Sequence, residues 1–258
     1  MQSKGSGWLY SRQAALVLPL VALLVLLVVW EAVVALRPAL RLYLPAPTQV
    51  MAVFWQAGDV MAIHSLRTLM TTMIGFLLSV VTGVGLGFLI GYSRLAYVVL
   101  YPLLVGFNTI PKVALVPLLA LWFGIGTVPA ILTAFLLAFF PIAVNVAVGL
   151  ETVEPEMKDV LKSLGASQWE IFVKVGFPHT LPYLFASLKI AISTAFIGSV
   201  ISETVASNRG LGFLIVSASS TFDVPLAYAG LVVLAVMGIA LYGLAVVAER
   251  AMIPWARS

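Results

Sequence analysis

Six apolar stretches, at about residues 14–36, 64–91, 97–122, 128–149, 184–206 and 227–249, constrain this chain more than any other feature. Each can cross a hydrocarbon core of roughly 30 Å as a helix, which takes about 20 mostly apolar residues. The chain is 62% hydrophobic and 9% charged, whereas a soluble domain carries about 25% charged residues. The expected fold class is therefore an all-α integral membrane protein with about six transmembrane helices. Residues 1–258 are read as a single transmembrane domain, because no polar stretch is long enough for a separate soluble one.

Cysteine is absent, which excludes disulfide frameworks, thiolate nucleophiles and Cys-ligated metal centres. The net charge of +4 reads as orientation charge; a nucleic-acid footprint needs clustered Lys and Arg, and none is present. Lys4 and Arg12 precede the first span and could imitate a signal peptide. The apolar run is too long for one, however, and continues into Trp30, Glu31 and Arg37 without a clear small-residue cleavage site, so an uncleaved anchor is expected.

Positive residues are retained on the cytoplasmic side of a membrane. With the N-terminus inside, Lys4, Arg12, Arg94, Lys158, Lys162, Lys174, Lys189, Arg250 and Arg257 fall on the cytoplasmic side. Arg37, Arg41, Arg67 and Arg209 fall outside, and Lys112 lies within a span. Both termini are accordingly expected in the cytoplasm.

Between the first two spans, Pro45 and Pro47 end one helix and Thr48 can cap another. Val50, Met51, Phe54 and Trp55 recur there at helical spacing, as an interfacial helix on the outer surface requires. In the second span a small residue recurs at every fourth position, Gly75, Ser79, Gly83, Gly87 and Gly91, which reads as a seam for close helix packing. The third span is less regular: Pro111 and Pro117 each remove a helix hydrogen bond. Asn108, Thr109 and Lys112 are costly at membrane depth, and irregular backbone is tolerated there only where protein or water covers it. Lys112 either faces a pathway or snorkels or pairs for structure.

Residues 151–183 form the most charged part of the chain, with eight charged side chains between Glu151 and Lys174. Pro155 suits a first helical turn, Glu154 and Glu156 complement the helix dipole, and Gly165 is placed as a left-handed C-cap, giving a helix over about 155–164. Its Met157, Val160, Leu161 and Leu164 share one face. Ser167 to Glu170 has the form of a capping box opening a second helix, with Trp169, Phe172 and Val173 as its apolar stripe and Pro178 and Pro182 as its stop. Two such short helices bury too little to stand alone. They need something to dock on, either the chain's own helix ends or a separate cytoplasmic protein.

The stretch DVLKSLGASQWEIFVKVGFPHTLP resembles the cytoplasmic Glu-Ala-Ala loop of permease subunits of binding-protein-dependent ATP-binding-cassette (ABC) importers, with Asp159, Val160 and Leu161 where Glu-Ala-Ala is usual. LPAP after the first span, IPKVALVPLLALWFGIG and ETVASNRGLGFL are similar to the nitrate, sulfonate and taurine branch, which also contains importers of vitamin-like heterocycles and aromatic carboxylates. The resemblance implies a type I importer permease in a bacterial cytoplasmic (inner) membrane. It also implies two ABC ATPase subunits that bind ATP and Mg, a second permease copy or homologue, and an extracytoplasmic substrate-binding protein. Met157, Asp159, Val160, Leu161, Leu164, Gly165, Ala166 and Ser167 would couple to the ATPase.

No G-x-x-x-x-G-K-[ST] loop occurs in the chain, so it cannot cradle nucleotide phosphates by that route. A non-catalytic transport subunit without a cofactor of its own is expected. His64 and His179 lie toward opposite sides and are not expected to share a site. Asn108, Lys112, Asn145, Ser199 and Glu203 are the candidates for a translocation pathway, with Glu203 alternatively paired to Arg209 or Lys112. An ion-coupled secondary transporter is the competing class. It would be expected to show paired intramembrane acids and repeated halves.

Overall fold

A computed structural model describes residues 12–256. Lys4 and Arg257, used above for orientation, lie outside the described residues. Among the described residues eleven α-helices follow one another: α1 (Arg12–Leu36), α2 (Pro47–Gln56), α3 (Gly58–Tyr92), α4 (Arg94–Thr109), α5 (Val116–Phe123), α6 (Thr127–Glu151), α7 (Pro155–Ser163), α8 (Gln168–Ile171), α9 (Phe177–Ala206), α10 (Leu211–Ser220) and α11 (Val224–Met252). Five of the expected spans are single long apolar helices, and the third is the pair α4–α5, bent by 77°. The bend falls at Ile110–Pro111, where Pro111 has no N–H to continue the helix and a short 3-10 turn, Lys112–Leu115, follows.

The centre of the bundle is α3, α6 and α9. Ala134, Ala138, Ile142, Val146, Ala191 and Ala195 are buried there, with Phe76, Val80, Val84 and Phe88 packed against them. The small residues of α3 form the expected seam. A Cβ on Gly83 would lie 3.0 Å from Ile142 Cβ, and one on Gly87 2.6 Å from Val146 Cβ, so only hydrogen fits between these helices. Backbones this close gain dispersion contacts that apolar lipid cannot displace.

Two devices differ from expectation. Pro178 and Pro182 do not stop the helix that Ser167 opens. A π turn, Phe172–Gly176, carries α8 directly into α9, with Phe177 N–H bonded to Phe172 O. The wider turn gives the Pro178 ring room against the preceding carbonyls, and a proline within a membrane helix is held by its neighbours. At the start of α2, Thr48 does not cap its own helix: its N–H and Oγ1 both donate to Glu31 of α1, at 3.1 and 2.9 Å. The capping bond is made instead by Gln49 Oε1, which accepts from Ala46 N–H at 3.0 Å. Helix α2 lies as an amphipathic element, with Val50 buried and Trp55 89% exposed.

Candidate functional site

Helix α7 ends as its sequence requires. Gly165 has φ +83°, a conformation that costs an L side chain roughly 1–2 kcal/mol. Its N–H donates to Lys162 O at 2.9 Å while Ala166 N–H donates to Leu161 O at 3.0 Å, the paired bonds of a Schellman turn. Two residues on, Ser167 Oγ accepts from Glu170 N–H at 3.2 Å and Glu170 Oε2 accepts from Ser167 N–H at 2.8 Å. This closes a capping box. The two helices are thus set at a fixed corner by backbone hydrogen bonds.

Ile171 of α8 is buried, but most of the other apolar side chains of the two helices remain uncovered. No residue of α7 is buried; Met157, Val160 and Leu164 are 49%, 58% and 76% exposed, and Trp169 is 69% exposed. Leu161 and Ala166 are half-buried, while Asp159 and Ser167 are exposed. The structure brings all eight expected coupling residues onto one corner of the molecule. Asp159 forms an exposed ion pair with Lys162 at 3.3 Å.

At the break in the third span, Lys112 Nζ donates to Asn108 Oδ1 at 2.6 Å and to Asn108 O at 3.1 Å. The lysine therefore satisfies carbonyl groups left open at the end of α4. Asn145, half-buried, donates to Pro141 O of its own helix at 2.8 Å.

Glu203 and Ser199 require a correction. Both are sealed, at 1% and 0% exposure, and neither faces an opening in this conformation. Glu203 pairs with neither Arg209 nor Lys112. Its carboxylate accepts from Thr68 Oγ1 at 2.8 Å, Gly212 N–H at 3.1 Å and, at 3.4 Å, Thr71 Oγ1. Thr71 and Ser199 share a 2.6 Å hydroxyl contact. Leu211 N–H donates to Thr68 Oγ1 at 2.8 Å, and Gly210 N–H to His64 Nδ1 at 3.0 Å. Glu203 thus caps the N-terminus of α10, where free N–H groups favour an anion. Gly210 has φ +104°, and a Cβ there would lie 2.2 Å from the Glu203 carboxyl carbon. The expectation went astray because α10 itself was not anticipated. Its signal was Gly210, a glycine directly before the short apolar run Leu211–Val216, with Glu203 one loop upstream.

The described residues thus form a multi-pass helical bundle with a broken third span and a capped, uncovered helix corner at one end. The chain belongs to the family of binding-protein-dependent transport system inner membrane components, which residues 83–254 match. It is similar to the riboflavin transport system permease protein RibX of Chloroflexus aurantiacus, with 37% identity over 95% of this chain and 91% of that one. It also resembles the formylaminopyrimidine transport permease protein ThiX of Halalkalibacterium halodurans (32% identity, 92% and 95% covered). The taurine transport system permease protein TauC of Escherichia coli is 30% identical, with 96% and 92% covered. Among solved structures, a chain of the MetNI methionine ABC transporter in an inward-facing conformation superposes with a TM-score of 0.66 at 21% identity, over 76% of this chain and 97% of that one. The fold is that of a type I ABC importer permease, and the protein is a multi-pass inner-membrane permease of an ABC importer for small solutes.

Proposed function

We propose that the α7–α8 corner docks on a separate ABC ATPase subunit. ATP is bound with Mg and hydrolysed there, and nucleotide-driven closure of two such ATPases moves the corner. The observation that carries this reading is the uncovered apolar stripe of Met157, Val160 and Leu164, held rigidly by the Schellman turn at Gly165 and the Ser167–Glu170 box. An amphipathic helix without a partner in its own chain gains most of its stability from a groove that accepts it. Asp159, Leu161, Ala166 and Ser167 complete the contact.

A second copy of this chain, or a homologous permease, completes the pathway, and both termini face the cytoplasm. Asn108, Lys112 and Asn145 are the polar side chains offered to the passing solute. That solute is a vitamin-like heterocycle, sulfonate, taurine, nitrate or aromatic carboxylate brought by an extracytoplasmic binding protein; the names of the riboflavin, formylaminopyrimidine and taurine relatives support the heterocycle and taurine. Nucleotide acts by favouring one conformation of the assembly over another.

The test is co-purification with a co-expressed ABC ATPase, for the unsubstituted chain and for Gly165→Val. A stable complex that loses ATPase or loses transport on substitution supports docking at the corner. Full transport by Gly165→Val, or ion-driven uptake by the chain alone, defeats it.

A further inference from the structure

Above the corner, the three central helices are interlocked. Beyond the α3–α6 seam, a Cβ on Gly149 of α6 would lie 2.9 Å from Thr180 Cγ2 of α9, and one on Gly198 of α9 2.9 Å from Thr133 O of α6. Helices in contact this close cannot slide past one another without lifting apart, so α3, α6 and α9 behave as one block.

The α7–α8 corner joins that block by two routes. One is the short link 152–154, where Val153 is buried. The other is the π turn Phe172–Gly176. A π turn holds an extra residue per turn and is a weak point in a helix. A push on α8 would be absorbed there unless something bridges it.

Phe172 is that bridge. Its ring stacks on Trp169 of α8 with centroids 5.4 Å apart and meets Phe88 of α3 edge-on at 5.3 Å. It also lies edge-on to Tyr92 at 6.3 Å and 6.5 Å from Phe177, the first residue of α9. One side chain thus touches α8, the inner end of α3 and the start of α9. Such aromatic pairs contribute about 0.5–1.5 kcal/mol each beyond their buried area.

We infer that Phe172 is a positioning residue for transport: its ring braces the π turn, so that displacement of the α7–α8 corner reaches α3 and α9 together. The inference rests on the docking reading above. Trp169 and Phe172 therefore divide the work of the stripe expected from sequence. Trp169 stays largely exposed, and Phe172 turns inward as the strut.

The chain contains no cysteine, so spin labels can be placed at will. We would label Lys162→Cys on α7 and Val81→Cys on the exposed side of α3, dilute the labelled chain with unlabelled chain before assembly, and measure the distance between the two labels of one subunit in the complex with a co-expressed ABC ATPase. The measurement is made without nucleotide and with ADP–vanadate trapped. With Phe172 present, the distance stays constant between the two states, because corner and block move as one. In Phe172→Ala it shifts or broadens by at least about 2 Å, the scale of a helix displacement, while the complex still assembles and hydrolyses ATP. Phe172→Tyr restores constancy. Phe172→Leu, which keeps apolar volume without a ring, carries the same test should the alanine variant fail to assemble. An intact complex whose Phe172→Ala and Phe172→Leu distances are as constant as those of the unsubstituted chain overturns the brace alone. Failure of the unsubstituted chain to bind the ATPase overturns the docking reading, and the brace with it.

Discussion

The seam between α3 and α6 provides a matched pair of substitutions within one helix. A methyl group on Gly87 would sit 2.6 Å from Val146 Cβ and 2.7 Å from Ala143 O. Carbon atoms pack at about 3.5–4.0 Å, so Gly87→Ala forces the helices apart locally by roughly 1 Å. Overpacking of this kind costs about 1–3 kcal/mol. Gly85 lies two residues earlier and faces out of the bundle, with nothing within 4 Å of its would-be Cβ. There alanine meets no neighbour and restricts the unfolded chain, a gain of up to about 1 kcal/mol. The two variants should therefore differ by about 1–4 kcal/mol, in opposite directions from the unsubstituted protein. Titration of the purified protein from mild detergent into a denaturing one, followed by tryptophan fluorescence, reads the difference as a shift in midpoint. Equal midpoints, or a Gly87→Ala variant as stable as the parent, would refute the seam as a close-packed contact.

Three further outcomes follow from the geometry. Glu203→Ala strips the acceptor from Gly212 N–H in a sealed site, and a stranded donor there costs about 1–3 kcal/mol, while Thr68 and Thr71 keep the backbone carbonyls of His64, Arg67 and Thr68 as acceptors. Glu203→Gln keeps an acceptor and should lose clearly less midpoint stability than the alanine variant; equal losses would mean that the carboxylate does not hold α10. Lys189 Nζ bonds both carboxylate oxygens of Glu249 at 2.7 and 2.8 Å, joining α9 to α11. Either single alanine variant should cost about 1.5–3 kcal/mol, and the double variant should cost less than the sum of the two singles; strict additivity in that cycle would remove the pair as an interaction. Gly165→Ala meets open space, so its cost is conformational alone, about 1 kcal/mol or slightly more. Amide exchange at Ala166 should then quicken about fivefold, and unchanged exchange would count against the left-handed cap.

Much of this architecture was legible because its signals are local. A run of about 20 apolar residues needs no partner to be read as a span, and glycines four residues apart mark a helix face wherever that helix is placed. Gly165 and the Ser167–Glu170 box likewise act within six residues of each other. What escaped depends on contacts between distant segments. Thr48 looked like an N-cap, but Glu31, one helix away, takes both of its donors. Pro178 and Pro182 looked like a stop because the π turn that accommodates Pro178 has no composition of its own. Glu203 reads in sequence as a pathway acid or as a partner of Arg209 or Lys112, because its actual partners, Thr68, Thr71 and Gly212, lie on two other helices.

These misreadings share a physical cause that bears on function. At membrane depth a polar group either finds a partner within the protein or faces water, and the sequence does not say which. The structure resolves Glu203 toward the first outcome: its hydroxyl and amide donors are all inside the bundle, and none is a second ionisable side chain. An ion relay requires an acid that meets solvent in at least one state and passes its proton or cation to another group. A carboxylate enclosed by two threonines and a helix N-terminus instead fastens α10 to α3 and α9. The interlocked core and the fastened α10 end form one packed body. On the docking reading proposed above, the uncovered corner at Met157, Val160 and Leu164 is where the ATPase applies force to it.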